Sequence, residues 1–407
     1  MRIIFTAWAW PSHAYAMVPL AWACRAAGHE VLMASQPALA DTLTRTGLPS
    51  ARVGRDVDAE AAFRAIVAPP AAPAAAPPAA PAAAERSAPP APRPGPPGSG
   101  GGPRVLQLLT ALADAMVDDL VELGEQWSAD LIVFEPTAFA GPLAAARLGI
   151  PAVRHLYGTD LMSVVGGFLP AALAPLAQRL GLEQPVDPFG LATVDPCPGG
   201  LQVPVGSRRL PMRYIPHNGP GLLPRRLPQR HGRPLVCVTW GTTMSRLHSD
   251  LFLAGDVARA IEDLDIDILL AVTAGQRPLL GTLPPRTEIA ESVPLHLLLP
   301  QCDALVAHGG AGTLLTGLAH GLPQLLLPRL PDHVRHSGRL AGAGAGTVLP
   351  APVQDPKLIH DQLAELLAAP AHRESAQRLR DEMHGQPAPA ELVGALQEIV
   401  TGTPRTR

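Results

Sequence analysis

A glycine-rich turn in the second half of the chain carries the clearest chemical signal. The sequence His308-Gly309-Gly310-Ala311-Gly312-Thr313 follows the apolar run 303–307 and precedes an apolar helical segment. Glycines at such a junction allow the backbone to turn tightly and a ligand to approach the amides. The first amides of a helix have no intrahelical partner and lie at the positive end of its dipole. The turn therefore predicts a phosphate site with His308 as a further donor, and an ordinary glycine turn is the alternative.

The same turn departs from two common nucleotide motifs. It has no Gly-Lys-Ser/Thr, and Leu315 occupies the place of the third glycine in a dinucleotide fingerprint. A second loop, Gly241-Thr242-Thr243, follows the strand predicted at 235–240. Its hydroxyls are candidates for binding phosphate or the nucleoside sugar, and an ordinary turn is equally compatible with the sequence.

The first half of the chain contains a candidate acid–base pair. His13 follows a strand predicted at 2–7, and ligands of open α/β sheets bind at the carboxyl edge of the strands. Histidine suits proton abstraction near neutral pH, and a carboxylate that fixes its tautomer improves it as a base. Glu135, after the strand predicted at 130–134, is the candidate partner. Asp130 is the alternative partner, and a helix-capping histidine is the alternative role for His13.

The order of the predicted elements indicates an α/β protein built from two similar halves. Strand, helix and strand in succession predict βαβ units with helices on both faces of a parallel sheet. Strands are predicted at 2–7, 30–34, 130–134, 235–240, 266–272, 303–307 and 324–327, and helices at 17–28, 105–124, 312–320 and 333–341. We predict an N-terminal domain over 1–215, a proline-punctuated linker over 216–233 and a C-terminal domain over 234–375. A helical tail, 376–407, is predicted to pack back on the N-terminal domain.

Residues 68–103 are almost entirely Pro, Ala, Gly and Ser. Such a composition lacks the large apolar side chains that a core needs and cannot hold a regular helix or strand. We therefore predict a disordered or polyproline-like loop within the first domain.

Bulk composition excludes several classes of protein. The chain has 407 residues, 47% of them hydrophobic, and a net charge of −3, so we expect no nucleic-acid partner. No apolar run is long enough to span a bilayer, so no membrane insertion is expected. The four cysteines are far apart in sequence, which predicts free buried thiols in a reducing compartment and a cytoplasmic location.

Segments spread along the chain resemble the inverting family 1 glycosyltransferases of actinobacteria, which attach deoxysugars to polyketide antibiotics. The matching segments are 18–23, 26–31, 130–136, 211–220, 293–300 and 308–313. Their order and spacing make the resemblance specific, although each fragment alone is weak. The resemblance implies the GT-B architecture, in which two Rossmann-like domains face each other across a cleft. The acceptor is then expected on the N-terminal domain and the donor nucleotide on the C-terminal domain.

The resemblance also implies roles for individual residues. It makes His13 the catalytic base with Glu135 as its partner, and it assigns the glycine loop to the donor diphosphate. Asp332 and His333 correspond to the pair that holds the donor sugar, where the family usually has Asp-Gln. The region of Leu298, Pro300 and Gln301 corresponds to the nucleobase site. The candidate acceptor walls are the aromatic and histidine side chains of the first half, namely Trp8, Trp10, Tyr15, Phe139, His155 and Tyr157.

No cofactor is expected beyond a nucleoside diphosphate sugar, for which the subfamily favours thymidine diphosphate. Asp263, Asp265 and Asp267 formally match an Asp-x-Asp metal motif, but we expect solvated surface carboxylates and metal-independent transfer. The resemblance leaves open an activator protein as a partner besides the hydrophobic aglycone. Two other functions stay open from sequence, a nucleotide-sugar 2-epimerase of the same architecture and a non-catalytic helper protein.

Overall fold

The computed structural model describes residues 1–67, 102–203, 208–226, 228, 231–351 and 355–403. The loop predicted at 68–103 falls almost wholly outside the described residues. Its last two residues, 102 and 103, belong to the helix Gly102–Gln126.

Within the described ranges, the first half of the chain forms a parallel sheet of seven strands in the order β3-β2-β1-β4-β5-β6-β7. The strands are β1 (Arg2–Thr6), β2 (Glu30–Ser35), β3 (Ser50–Arg52), β4 (Leu131–Phe134), β5 (Ala152–His155), β6 (Ala192–Asp195) and β7 (Arg209–Pro211). The helices are α1 (Pro11–Ala26), α2 (Ala40–Thr44), α3 (Ala59–Val67), α4 (Gly102–Gln126), α5 (Ala140–Leu148), α6 (Met162–Val165) and α7 (Leu169–Arg179).

In the described part of the second half, six parallel strands form a separate sheet in the order β10-β9-β8-β11-β12-β13. The strands are β8 (Leu235–Thr239), β9 (Asp267–Val272), β10 (Thr287–Glu291), β11 (Ala304–Ala307), β12 (Gln324–Leu326) and β13 (Gly346–Val348). The helices are α8 (Met244–Leu247), α9 (Ala254–Ala260), α10 (Leu295–Leu298), α11 (Ala311–Ala319), α12 (Pro331–Gly342), α13 (Pro356–Ala368), α14 (Pro370–Gly385) and α15 (Leu392–Gly402).

Two parallel sheets, each covered by helices, confirm the predicted α/β class. The central strands β1, β4, β8 and β11 are almost continuously buried apolar residues, as strands covered on both faces must be. The helix predicted at 17–28 is six residues longer at its start, because Pro11 occupies the first turn of α1, where a proline costs no hydrogen bond. His13 therefore lies in the first turn of that helix.

The end of the chain returns to the first sheet. Leu392, Leu396 and Ile399 of α15 pack in the same apolar cluster as Ile3 and Phe5 of β1. The preceding helix, α14, packs instead on the second half through Leu379 and Met383. The two parts of the predicted tail thus contact different sheets. The domain boundaries themselves, 1–215, 216–233 and 234–375, stay predictions.

Each sheet has one place where the strand order reverses. In the first sheet, β1 lies between β2 and β4, and in the second sheet β8 lies between β9 and β11. Ligands of open α/β sheets bind in the crevice beyond the carboxyl ends of the strands at such a point. We therefore expect ligand-binding and catalytic residues on the loops after β1, β4, β8 and β11.

Two sequence expectations concern membranes and thiols. None of the helices in the described ranges combines the length and the apolar character needed to cross a bilayer. Cys24, Cys197, Cys237 and Cys302 are free and buried, as their spacing predicted.

Candidate active site

His13 and Glu135 meet at the carboxyl edge of the first sheet. Nδ1 of His13 lies 3.3 Å from Oε2 of Glu135, a close contact whose angle is not that of a well-formed hydrogen bond. The Glu135 side chain is completely buried, and the His13 side chain is 12% exposed. With Nδ1 facing the carboxylate, Nε2 is the ring nitrogen left to meet a substrate proton. Asp130 lies before β4 at the opposite edge, where its Oδ2 accepts a hydrogen bond from the Arg2 amide, so it does not contact His13.

Two aromatic rings fix the plane of the His13 imidazole. Tyr157 stacks on it with 4.0 Å between ring centroids and 17° between the planes. Trp8 meets it edge to face at 5.3 Å and 81°. The imidazole therefore has little rotational freedom, as a base that must meet one particular hydroxyl requires.

The candidate acceptor walls divide into two groups by exposure. Tyr15 and Tyr157 keep part of their surface exposed. Trp8, Trp10, Phe139 and His155 are buried, and Nδ1 of His155 lies 2.8 Å from the Leu156 carbonyl oxygen. The structure thus shows these four side chains in packing contacts, and their contact with an acceptor stays a prediction.

The turn after β11 is built around the His308 ring. An added Cβ at Gly310 would collide with Nε2 of His308, and one at Gly241 would lie 2.6 Å from Cε1. Gly309 has a φ of +84° and faces Ser337 of α12 closely enough that a Cβ would collide with its hydroxyl. Close approach therefore favours glycine at all three positions, and it brings the loops after β8 and β11 into contact.

The surroundings of the His308 ring favour its neutral form. It is 4% exposed, and burial, together with the neighbouring His333, lowers the pKa of His308 well below its ordinary value. Its Nδ1 has no hydrogen-bond partner among the described residues. α11 starts just beyond it, at Ala311, and the first-turn amides at Ala311, Gly312 and Thr313 have no intrahelical acceptor. The N-terminus of α11 thus combines backbone N–H donors that have no intrahelical acceptor with one buried side-chain nitrogen.

Gln276 is a residue of this region that the sequence did not reveal. It is buried, and its Nε2 donates to the Gly241 carbonyl oxygen at 2.5 Å and to Oγ of Ser245 at 3.0 Å. Its Oε1 accepts a hydrogen bond from the Thr273 amide. Gln276 therefore ties the Gly241–Thr243 loop to the loop after β9. The exposed Thr242 and the half-buried Thr243 remain candidate phosphate- or sugar-binding residues, and Gln276 holds their loop in place.

Asp332 and His333 lie in the first turn of α12 and face the His308 turn. The rings of His333 and His308 are 4.8 Å apart and nearly perpendicular. His333 is buried, whereas the Asp332 side chain is 40% exposed. Partial burial opposes ionisation of Asp332, but the imidazoles of His333 and His336 and the backbone amides of the first turn together outweigh it, so the pKa of this carboxyl is lowered. An ionised carboxylate beside the His308 turn suits a sugar hydroxyl.

The segment predicted to meet the nucleobase lies on α10 and the turn after it. Leu298 is buried and Pro300 is exposed. Asn218 of the linker accepts a hydrogen bond from the His296 amide of α10, and its Nδ2 donates to the Thr316 hydroxyl of α11. The linker is thereby attached to both helices that border the predicted donor site. The roles of Leu298, Pro300 and Gln301 stay predictions.

The loop after β5 bridges the two halves. An added Cβ at Gly158 would lie 2.7 Å from the Cβ of Ala311, the first residue of α11. The hydroxyl of Thr159 lies 2.6 Å from Nδ1 of His336 on α12. Arg339, further along α12, donates to the carbonyl oxygens of Leu201 and Gln202 in the first half. The imidazole of His13 and the mouth of α11 therefore face the same cleft.

The Asp-x-Asp carboxylates lie away from this cleft. Asp263 is exposed, and Asp265 pairs with Arg233 and Arg286. Asp267 was expected at the surface as well, but this was wrong, because it begins β9 and is 8% exposed beside His231. In the described residues, no group of three or more His, Cys, Asp or Glu side chains is arranged to hold a metal ion.

Two Rossmann-like sheets whose site-bearing loops face one cleft form the GT-B architecture that is typical of glycosyltransferases. The chain belongs to the family described as "Erythromycin biosynthesis protein CIII-like". The N-terminal domain of that family matches residues 22–86 and 101–241, and its C-terminal domain matches residues 256–399. The resemblance to antibiotic glycosyltransferases of actinobacteria is thereby confirmed.

Curated and solved proteins of this kind match over nearly the full chain. The 10-deoxymethynolide desosaminyltransferase of Streptomyces venezuelae is 35% identical over 98% of this chain and 97% of its own length. The crystal structure of the glycosyltransferase VinC in complex with dTDP is 30% identical, covers 99% of this chain and 100% of its own, and has a TM-score of 0.79. The structure of the spinosyn rhamnosyltransferase SpnG complexed with spinosyn aglycone is 29% identical. It covers 98% of this chain and 100% of its own, and it has a TM-score of 0.80.

Proposed function

We propose that the protein transfers a deoxysugar from a thymidine diphosphate donor to a hydroxyl group of a hydrophobic polyketide or aromatic aglycone. The arrangement that carries the proposal is the His13–Glu135 pair facing the N-terminus of α11 across one cleft. The dTDP complex of VinC and the aglycone complex of SpnG support a thymidine nucleotide on one side of the cleft and an apolar acceptor on the other.

In the proposed reaction, Nε2 of His13 takes the proton of the acceptor hydroxyl as the oxygen attacks the anomeric carbon. Glu135 stabilises the imidazolium that forms, since its carboxylate lies at Nδ1. The bond from the anomeric carbon to the diphosphate breaks on the opposite face, which inverts the configuration. Proton removal by a positioned histidine contributes roughly 10²- to 10⁴-fold to such a step.

The leaving diphosphate gains negative charge as the bond breaks. The amides of Gly310, Gly312 and Thr313 at the start of α11, with the buried His308, supply preorganised donors for that charge. Asp332 and His333 hold the hydroxyls of the sugar from the adjacent helix start. Because all of these groups belong to the second half, donor binding is expected to be independent of His13.

The aglycone is proposed to lie against Tyr157 and Tyr15, the partly exposed members of the predicted walls. Exposed apolar side chains on the segment after the β5 loop, Val164 at 56% and Phe168 at 71%, offer further hydrophobic surface. An activator protein stays a proposed additional partner, and its role would be to raise transfer by the purified enzyme.

Calorimetric titration with dTDP and UDP, followed by transfer assays with a panel of dTDP-deoxysugars and macrolide and anthracycline aglycones, tests the proposal. We expect tighter binding of dTDP and a glycosylated product with inverted anomeric configuration. A preference for UDP would overturn the donor assignment. Conversion of the nucleotide sugar to an epimer without transfer would identify the alternative function, a 2-epimerase.

A further inference from the structure

The carboxylate of Glu135 is held by a residue two positions further along the chain. The Thr137 amide donates to Oε2 of Glu135 at 3.0 Å. The Thr137 hydroxyl lies 2.7 Å from Oε1 and 2.8 Å from Oε2. Glu135 is completely buried, and among the described residues its carboxylate meets these two donors and His13.

Trp8 determines the direction of the Thr137 hydroxyl. Its Nε1 lies 2.8 Å from Oγ1 of Thr137, and an indole nitrogen can only donate. Thr137 must therefore accept from Trp8, and its own single proton is left for Glu135. The result is a directed chain from Trp8 through Thr137 to the carboxylate, and the carboxylate faces Nδ1 of His13.

Trp8 also touches the other member of the pair. Its ring meets the His13 imidazole edge to face, with 5.3 Å between centroids. A single buried residue of the β1–α1 loop thus contacts the base directly and reaches its carboxylate through Thr137. From sequence, Trp8 is a candidate for the acceptor wall, whereas Thr137 carries no signal of a role.

We propose that Thr137 and Trp8 are positioning residues. They hold the Glu135 carboxylate and the His13 imidazole at the distance and orientation that proton abstraction needs. This inference rests on the proposed function, in which His13 is the base. Neither residue touches the substrate in this scheme, and both act through the histidine–carboxylate pair. Losing a hydrogen bond to a buried charged group costs much free energy, because no water molecule can replace the lost donor.

Replacing Thr137 with valine removes the hydroxyl at nearly constant volume. The carboxylate then loses a donor that stabilises its charged form, so the pair as a whole holds a proton more tightly. The other titratable groups around the pair, Tyr157, Asp332 and His336, are unchanged in this variant. The acidic limb of the kcat/KM profile is therefore expected to move to higher pH, and kcat is expected to fall about 10-fold.

The test compares Thr137→Val, Thr137→Ser and Trp8→Phe with the unmodified enzyme. Serine keeps the hydroxyl and should restore most of kcat and the position of the acidic limb. Phenylalanine keeps a ring but loses the indole N–H, so its effect should have the same direction as that of valine. All three should bind dTDP as the unmodified enzyme does, because the donor residues lie on the other half.

A matched control is Thr46→Val, which removes another buried threonine hydroxyl of the first half. Oγ1 of Thr46 donates to the Leu43 carbonyl oxygen at 2.6 Å, on a segment that does not contact the pair. It is expected to lower the unfolding temperature without moving the acidic limb. In the Glu135→Gln background, Thr137→Val should have little further effect, since the two residues act through one contact.

An NMR titration of ¹⁵N-labelled histidine, with His13 assigned from the His13→Gln spectrum, reports on the pair without any turnover. A shifted His13 titration in Thr137→Val, restored in Thr137→Ser, supports the inference. An unchanged titration and pH profile in a folded Thr137→Val enzyme would overturn it. If the unmodified enzyme transfers no sugar, the proposed function fails, and the titration still decides the role of Thr137.

Discussion

The hydroxyl of Thr159 lies 2.6 Å from Nδ1 of His336, and this hydrogen bond joins the two halves of the protein at the cleft. Thr159 lies on the loop that also presents Tyr157 to His13, and His336 lies one turn after Asp332 on α12. The two groups are buried, at 5% and 1% exposure. The contact therefore couples the position of His13, the proposed base, to that of Asp332, the proposed sugar ligand.

Thr159→Val should weaken that coupling. It leaves a buried ring nitrogen without its partner, which costs about 1–3 kcal/mol. We expect kcat/KM for the acceptor to fall about 5- to 50-fold, whereas dTDP affinity measured by calorimetry changes less than about 2-fold. Thr159→Ser keeps the hydroxyl and should stay close to the unmodified enzyme. Equal kinetics for the valine and serine variants would show that the contact does not bear on the cleft.

Gly310→Ala should reduce donor affinity. The new Cβ would collide with Nε2 of His308, so the ring or the turn must move away from its position at the mouth of α11. Overpacking of this kind costs about 1–3 kcal/mol, which corresponds to a loss of dTDP affinity of roughly 5- to 150-fold. Gly342→Ala on α12 is the matched control, because its Cβ meets no atom within 4 Å. The proposed diphosphate turn would be contradicted if both variants bound dTDP alike in calorimetry.

His155 is expected to make the fold sensitive to acid. Complete burial lowers the pKa of His155 to about 4, from 6.5 for the ordinary side chain. The unfolded chain therefore binds the proton more readily, so the stability from this group is present above pH 6.5 and is lost as the pH falls through 4. The loss amounts to about 3 kcal/mol, at roughly 1.4 kcal/mol per unit of pKa.

Urea unfolding of the unmodified protein and of His155→Gln between pH 7.5 and 4 measures this contribution. The variant should show a flatter loss of the free energy of unfolding below pH 6.5. His248→Gln, which replaces an exposed histidine, should keep the slope of the unmodified protein. Parallel curves for the unmodified protein and His155→Gln would rule out the titration of His155 as a cause of acid sensitivity.

The long apolar elements of the fold were predictable from sequence, but several short ones were not. The strands at 130–134, 235–240 and 303–307 were recognised because they are runs of large apolar residues. β5 was missed because it includes Arg154 and His155, which rarely enter a core. Arg154 is buried there only because Asp160 and Thr193 pair with it, and contacts of that kind are not visible in local sequence.

The candidate site was predictable in its parts and not in its connections. His13, Glu135 and the turn at His308 follow strands, so their place at the sheet edges follows from the order of the elements. Thr137 and Gln276 had no such signal, because their importance lies in bonds to Glu135 and Gly241. The hydrogen bond between Thr159 and His336 spans 177 positions of sequence and depends on how the two halves meet.

The His13→Ala variant tests most directly whether a base on the first half activates an acceptor hydroxyl for attack on a donor bound to the second half. Transfer to an aglycone and dTDP affinity are measured on the same preparation of this variant. We predict that transfer falls by about 10²- to 10⁴-fold while the dissociation constant for dTDP stays within about 2-fold of the unmodified enzyme. Retained transfer combined with lost dTDP affinity would contradict the account.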